Sequence, residues 1–294
     1  MFLRAKVKGA TLPDRSRIRR RRRRSSRRSS FKVSPVTASF VASALLVAGV
    51  VTESITTKGG SNEAICSLII DRTSSTEQLS VTSNYRFLAD ETVRECSDQN
   101  GTLTIWVASP LGPKYVPSGP FALYGAGKSM PIRIRDRQRE MQLAFKAINR
   151  DLKIKGSNKS QGSNIVATIA EASSTEAQQA IQYGSKNNYM IILSDGLQLA
   201  TGESVTSLAS PTSDPQTLVT TVKEFNTFQM EGTKVFFYGP DGPSSLTTGH
   251  LLPPWFVAKV RIFWQDLITG NKGVLCAYKT HQSVGSVIDP SCVS

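Results

Sequence analysis

The stretch that decides the fold runs from Ile65 to Ser75 and reads ICSLIIDRTSS. Its first six residues are the apolar run of a buried β-strand, and the chain then becomes polar at Asp71. Thr73 and Ser75 follow at alternate positions, so one carboxylate and two hydroxyls leave the end of the strand together. Oxygen donors clustered where a strand opens into a turn are the ligands that Mg²⁺ prefers. The stretch therefore predicts a buried strand with a candidate metal site at its carboxyl end.

A second apolar run ends in similar chemistry. The run Tyr189–Leu193 is strand-like, and Ser194, Asp195 and a glycine follow it directly. A further hydroxyl, that of Ser163, stands after a glycine at the start of a predicted helix. Because the carboxyl ends of parallel strands meet at one edge of a sheet, Asp71 and Asp195 are expected at a single metal-centred site.

Each of these features also has a local explanation, which the sequence leaves open. Ser75 and Gln78 have the spacing of a capping box for a following helix. Ser163 can serve as an ordinary helix N-cap. An aspartate followed by glycine, as at Asp195, is a common turn. Metal binding and capping are compatible with each other.

Beyond these motifs, apolar runs of strand length alternate with helical periodicities. This alternation is typical of an α/β fold with a doubly wound, mostly parallel central sheet flanked by helices. Strands are predicted near residues 65–70, 102–108, 189–194, 233–238 and 273–278. Helices are predicted at 76–94, 141–152, 165–181, 215–228 and 256–267. The segment 109–131, rich in proline and glycine, is predicted to be an irregular loop or an edge hairpin.

The net charge of +14 belongs almost entirely to the first 32 residues, which hold fourteen Lys and Arg and a single acid. The rest of the chain is nearly neutral. Residues 1–34 are therefore predicted to be a disordered, Arg-rich cytoplasmic tail that attracts anionic lipid headgroups. Nucleic-acid binding is not favoured, because no aromatic residues interleave with the block of arginines.

Residues 36–51 form an uncharged, mostly apolar run directly after the arginines. This order predicts a single transmembrane anchor over 35–52, with the tail in the cytoplasm and the rest of the chain extracytoplasmic. The run is short for a span, which usually needs roughly 17–25 residues. Small residues within it leave open cleavage, which would make the protein secreted. Residues 53–64 are then predicted as a linker, 65–280 as the folded domain and 281–294 as a C-terminal tail.

The four cysteines fit an oxidising compartment. Cys66 lies on the first strand and Cys96 just before the next, so parallel strands would bring both to one end of the sheet. Cys276 lies on the last strand, and Cys292 follows it. We predict the pairs 66–96 and 276–292, although four cysteines permit three pairings and buried free thiols are an alternative.

Together, these motifs resemble the von Willebrand factor type A (VWA) domain and its metal-ion-dependent adhesion site. In that family an Asp-x-Ser/Thr-x-Ser motif follows the first strand, a threonine opens a later helix after a glycine, and a final aspartate follows a central strand. The matching residues in this chain are Asp71, Thr73, Ser75, Ser163 and Asp195. The resemblance covers about residues 62–280. It departs at position 163, where serine replaces threonine, and in the length of segment 109–131.

The resemblance implies a metal-dependent protein-binding module and not an enzyme. It implies Mg²⁺ or Mn²⁺ held by those five residues, directly or through water. An open coordination position would then admit an Asp or Glu carboxylate from a partner protein. The loops 109–131 and 196–214 are candidates for the surrounding rim.

Two alternatives belong to other functional classes. The same fold with an idle metal site would serve as a scaffold in an envelope or transfer assembly. A phosphoryl-transfer enzyme is disfavoured, because no general base or nucleophile lies near the aspartates in sequence. Gly125–Ser129 resembles the end of a P-loop, but the surrounding prolines argue against the strand and helix that the motif needs. His250 and His281 lack partners at zinc-ligand spacing.

Overall fold

The computed structural model describes residues 62–72, 79–109, 112–113, 117–153, 164–197, 212–239, 253–279 and 286–292. The chain divides into two compact units, Met1–Glu53 and Ser54–Ser294, and all of the described residues belong to the second. The predicted tail, the predicted anchor and nearly all of the predicted linker lie outside the described residues. Among those that are described, no helix has both the length and the apolar character needed to span a bilayer.

The described residues form seven strands and five helices. The strands are β1 (Ala64–Asp71), β2 (Gly101–Ser109), β3 (Gly112–Pro113), β4 (Ser118–Ala122), β5 (Asn187–Leu193), β6 (Thr233–Tyr238) and β7 (Val274–Lys279). The helices are α1 (Leu79–Asp98), α2 (Met130–Asp151), α3 (Ile165–Tyr183), α4 (Pro215–Phe225) and α5 (Pro254–Thr269).

The strands form one sheet in the order β3-β2-β1-β5-β6-β7, and β4 also pairs with β2. Strands β2, β1, β5, β6 and β7 are parallel, whereas β3 and β4 run antiparallel to β2. From β1 the chain first extends the sheet towards β2 and later returns to build β5, β6 and β7 on the other side. The strand order therefore reverses between β1 and β5, which makes that crevice the switch point of a doubly wound sheet.

The sheet is buried on both faces, which explains why its central strands are continuous apolar runs. On one face Cys66, Leu68 and Ile70 pack with buried residues of α1 and α2. On the other face Ile69 and Ile192 pack with buried residues of α3, α4 and α5. Every residue of β1 is buried. The predicted α/β fold with a mostly parallel sheet between two helical layers is confirmed.

Two disulfides join strands of this sheet to other segments of the domain. Cys66 on β1 is bonded to Cys96 in the last turn of α1, and Cys276 on β7 is bonded to Cys292. Both are the predicted pairs. The residues before Cys292 also pack into the domain: Val287 and Ile288 are buried, although the sequence places them in a C-terminal tail. The unit Ser54–Ser294 thus contains both cores and both disulfides.

The segment 109–131 is where the structure adds most to the prediction. It holds β3 and β4, which hydrogen-bond to the edge of the sheet at β2, so the edge-hairpin alternative is the closer of the two. Helix α2 begins at Met130, well before the apolar face that indicated it. The reason is that the first three turns of α2 are rich in arginine and have no periodic apolar face.

Candidate functional site

The carboxyl ends of β1 and β5 place two aspartates next to each other. Ile70 pairs with Leu193, so Asp71 is level with Ser194, and Asp195 comes one residue later. Asp71 is fully buried, and Asp195 is 2% exposed. Both lie at the carboxyl edge of the sheet and at the switch point between β1 and β5, where ligands of open α/β sheets bind.

The turn after β5 is held by four hydrogen bonds that involve side chains. The hydroxyl of Ser194 donates to Oδ2 of Asp71 at 2.7 Å and accepts from the backbone N–H of Gly196 at 3.0 Å. Oδ1 of Asp195 accepts from the N–H of Leu197 at 3.0 Å. The indole of Trp264, on α5, donates to the carbonyl of Gly196 at 3.0 Å. Both carboxylates are therefore fixed by short-range contacts before any ligand arrives.

Tyr85 of α1 forms the inner wall of this site. Burial first, and then the negative charges of Asp195 and Asp71, raise the pKa of Tyr85 well above its ordinary value. Its hydroxyl is buried, and no described residue shares a hydrogen bond with it. A Cβ atom placed on Gly239, just after β6, would lie 2.8 Å from this hydroxyl. The phenol thus lies between the aspartates and the end of β6.

Sequence reasoning missed Tyr85, Ser194 and Gly239. Tyr85 is 14 residues beyond Asp71 on a helix, where its spacing with Leu88 and Ala89 indicates only a buried face. The role of Ser194 could have been predicted, because Ser194 is adjacent to Asp195 at the end of a predicted strand. Gly239 follows a strand, as many turn glycines do. Only the structure shows that the absence of a side chain at Gly239 makes room for the Tyr85 hydroxyl.

Three predicted ligands, Thr73, Ser75 and Ser163, lie outside the described residues. One finding nevertheless bears on Ser163. The N-cap of α3 is Asn164, whose side chain accepts a hydrogen bond from the N–H of Ala167 at 3.0 Å. The alternative in which Ser163 is the ordinary N-cap of this helix is therefore wrong, because the neighbouring side chain already occupies that role.

The donor set suits a hard divalent cation. Ionised carboxylates are costly to bury unless opposite charge and hydrogen bonds compensate them, and carboxylate and hydroxyl oxygens are the ligands that Mg²⁺ takes. The described residues contain no group of three or more His, Cys, Asp or Glu side chains positioned to hold a metal. Directly after Asp71 they contain a cation, Arg72, which is 8% exposed and opposes the rise in the pKa of Tyr85.

The P-loop-like segment Gly125–Ser129 differs from its expected surroundings. Strand β4 ends three residues before it and α2 follows it directly, with Pro131 tolerated in the first helical turn. The prediction that no helix follows was wrong. The segment is still a poor phosphate site, because a Cβ on Gly127 would lie 3.0 Å from a carboxylate oxygen of Asp136. A negative charge occupies the place where a phosphate would approach.

Comparison with known proteins leaves the family unassigned. No protein-family model and no curated protein match the chain. Among solved structures, the chain is similar to the crystal structure of the SpRpn10 VWA domain, over 77% of this chain and 92% of that domain. The sequence identity is 10% and the TM-score is 0.31, and both values are too low to establish membership of a family.

Proposed function

We propose that this domain is a protein-interaction module that binds an acidic partner through a divalent cation, Mg²⁺ or Mn²⁺, at the carboxyl edge of its sheet. The observation that carries the proposal is the burial of Asp71 and Asp195 at the ends of the adjacent strands β1 and β5, at the switch point of the sheet. The resemblance of residues 71–75 to the adhesion motif of VWA domains supports the same function.

Each residue of the site has a separate role in this proposal. Asp71 and Asp195 provide the negative charge, and Thr73, Ser75 and Ser163 provide neutral oxygens. When bound, the cation supplies a coordination position that a partner's Asp or Glu carboxylate can fill. Ser194 holds Asp71 in place, and Tyr85 closes the floor of the site against water. The function is binding without catalysis.

Affinity would come from pairing charges away from water. Buried ionised groups are costly to desolvate, and that cost is recovered only when an opposite charge arrives with good geometry. Because both aspartates are already buried and Ser194 already orients Asp71, little reorganisation remains to be done on binding. Specificity would come from the loops around the site, including 109–131 and 196–214.

We further propose that the module is tethered to a membrane and faces outwards. The uncharged run 36–51 follows an Arg-rich tail, as in proteins anchored by a single amino-terminal segment. The disulfides 66–96 and 276–292 are consistent with an oxidising compartment. In this arrangement the tail contacts anionic lipid headgroups on the cytoplasmic side, and nucleic acid is not a partner.

Titration calorimetry of Mg²⁺ and Mn²⁺ into the fragment 54–294 tests the metal site. We expect a heat of binding that Asp71→Asn and Asp195→Asn abolish while the circular dichroism spectrum stays unchanged. Asp98→Asn, an exposed carboxylate at the end of α1, is the matched control and should bind as the parent does. Absence of any heat from the parent fragment, or equal binding by all variants, would refute the metal site.

A scaffold with an idle metal site is the second candidate, and Arg72 favours it. Arg72 is a buried residue, and its positive charge acts on the same phenol as the two aspartates, so it offers a built-in counter-charge. Arg72→Met separates the two functions. If Arg72 is the permanent counter-ion, this variant should unfold readily and no cation should rescue it. If a metal is the counter-ion, Mg²⁺ should restore the stability of the variant.

A further inference from the structure

The edge of the sheet opposite the candidate site exposes large apolar side chains on three separate helix ends. Met130 and Ile134, in the first turns of α2, are 65% and 51% exposed. Ile181, near the end of α3, is 84% exposed, and Phe225, the last residue of α4, is 74% exposed. Single exposed apolar residues are ordinary, but Met130 and Ile134 are neighbours that line one groove, and adjoining exposed apolar side chains are a feature of interaction surfaces.

Hydrogen bonds place these helix ends at the amino-terminal edge of the sheet. Arg137 of α2 donates to Oδ1 of Asn100, just before β2, at 2.5 Å. Ser185, just after α3, donates to the carbonyl of Glu63, just before β1, at 3.0 Å. Lys223 of α4 donates to the carbonyl of Gly270, between α5 and β7, at 2.9 Å.

The start of α2 is basic as well as apolar. The thirteen residues 128–140 contain five basic residues, Lys128, Arg133, Arg135, Arg137 and Arg139, and only two acids, Asp136 and Glu140. The side chain of Arg135 is 77% exposed, and its contact with Asp136 is 3.9 Å long, which leaves its charge accessible. The start of α2 therefore combines exposed apolar side chains with several positive charges, and anionic headgroups attract positive charges that lie close to them.

The chain enters the domain beside this helix. Glu63 and Asn100 line a groove of about 450 Å³ together with Tyr124, Met130, Ile134 and Arg137. Only ten residues, 52–61, separate the apolar run 36–51 from Asn62. At about 3.3–3.6 Å per residue, those ten residues span at most about 35 Å. Any membrane holding residues 36–51 would therefore lie within that distance of the groove.

We propose that the amino-terminal edge of the domain rests on anionic phospholipid headgroups, with the basic apolar start of α2 (residues 128–139) as the principal contact. This inference rests on the membrane anchor in the proposed function. The eight residues of β1 separate this edge from Asp71 by about 25 Å, at about 3.3 Å per residue. Contact at the amino-terminal edge thus turns the candidate metal site away from the lipid, towards a partner.

The test attaches the fragment 54–294 to vesicles by an amino-terminal hexahistidine tag and a nickel-chelating lipid, so that it does not depend on the natural anchor. A fluorescent label at Ile134→Cys reports contact through quenching by a lipid-borne quencher. The same label at Ile262→Cys, on the outer face of α5 and 45% exposed, is the control. With phosphatidylglycerol in the vesicles, we expect at least threefold stronger quenching at position 134 than at 262.

Charge variants test the electrostatic part. Replacing the exposed Lys128, Arg135 and Arg139 by serine should reduce the quenching at position 134 to the level at 262. A matched triple variant at Arg86, Lys146 and Arg261, also exposed, should leave it unchanged. Vesicles of phosphatidylcholine alone should give the weak quenching of the charge variant, even though the tag still attaches the fragment.

Equal quenching at the two positions on phosphatidylglycerol vesicles would overturn the proposal. Equal quenching at position 134 on phosphatidylglycerol and phosphatidylcholine vesicles would overturn it as well. Failure of the metal site appears separately, in calorimetry without vesicles. Failure of the natural anchor also appears separately, as release of the full chain from membranes by alkaline carbonate. Neither result changes the quenching measurement.

Discussion

The hydroxyl of Ser194 donates a 2.7 Å hydrogen bond to Oδ2 of Asp71, across the boundary between β5 and β1. The two residues are 123 positions apart in the chain, and both are fully buried. This bond joins the two strands at the point where the direction of winding reverses. It also orients one of the two carboxylates of the candidate site.

Ser194→Ala should destabilise the domain by about 1.5–3 kcal/mol, because hydrogen bonds to charged groups contribute about that much. The variant also removes the acceptor of the Gly196 N–H. Urea denaturation of the fragment 54–294 measures the change. The control is Ser174→Ala, whose hydroxyl bonds only to the carbonyl of Ala170 within its own helix. A loss at Ser194 no larger than at Ser174 would contradict the importance of the bond.

Gly239→Ala should be more damaging than Gly184→Ala. Both glycines have positive φ angles, 97° and 66°, so both variants carry backbone strain. At Gly239, however, the new Cβ would lie 2.8 Å from the Tyr85 hydroxyl and 2.9 Å from the carbonyl of Ser194, whereas nothing lies within 4 Å of it at Gly184. We expect about 1 kcal/mol at Gly184 and at least about 2–3 kcal/mol at Gly239 from overpacking.

The comparison is made by thermal unfolding of the two variants, together with Mg²⁺ titration. Because Tyr85 lies beside the aspartates, Gly239→Ala should also weaken metal binding, and Gly184→Ala should not. Equal melting temperatures for the two variants would show that Tyr85 and the end of β6 move apart easily.

The buried carboxyl group of Glu176 should make the free energy of unfolding depend on pH. This residue of α3 is 1% exposed and meets the hydroxyls of Ser67 and Thr233 under the sheet. Burial raises its pKa to about 8, and the two hydroxyls oppose the shift. The folded domain therefore holds a proton on Glu176 where the unfolded chain, with an ordinary glutamate, has lost it.

The sign of the effect follows from this difference. The stabilising contribution is complete below the unfolded pKa of about 4.5 and is lost as pH rises towards about 8. In that window the free energy of unfolding should fall by about 1.4 kcal/mol per pH unit from this group alone. Glu176→Gln should flatten the profile and stabilise the domain at pH 8. Urea unfolding at pH 5, 6.5 and 8 measures both. A parallel decline in parent and variant would contradict the assignment.

Removing the Cys66–Cys96 disulfide should cost more stability than removing Cys276–Cys292. The sequence separations are 30 and 16, and loops of these lengths predict losses of about 3–4 and about 3 kcal/mol. Cys66 and Cys96 are also fully buried, so alanine at those positions leaves unfilled space in the core. Denaturation of the two double alanine variants tests the order, and the reverse order would count against it.

Five of the seven strands and most helices followed from the sequence alone, for a physical reason that β1 illustrates. A parallel strand buried on both faces must be apolar along its whole length, so its pattern is visible without any neighbour. The predicted run 65–70 and the observed Ala64–Asp71 differ by one residue at each end. The Cys66–Cys96 disulfide followed too, because parallel strands bring both cysteines to one end of the sheet. The start of α2 did not, because its first turns face solvent and have no apolar period.

The candidate site, like the fold, was predicted in part from the sequence. The local sequence showed that an aspartate lies at or just after the end of β1 and of β5, because the end of a buried strand is visible as a change from apolar to polar residues. The sequence predicted that these ends lie at one edge of the sheet, but only the tertiary structure decided that the Ser194 hydroxyl joins them and that Tyr85 lies against them beside Gly239. Those contacts join residues far apart in the chain, and their geometry depends on how helices pack on the sheet, which no local pattern encodes.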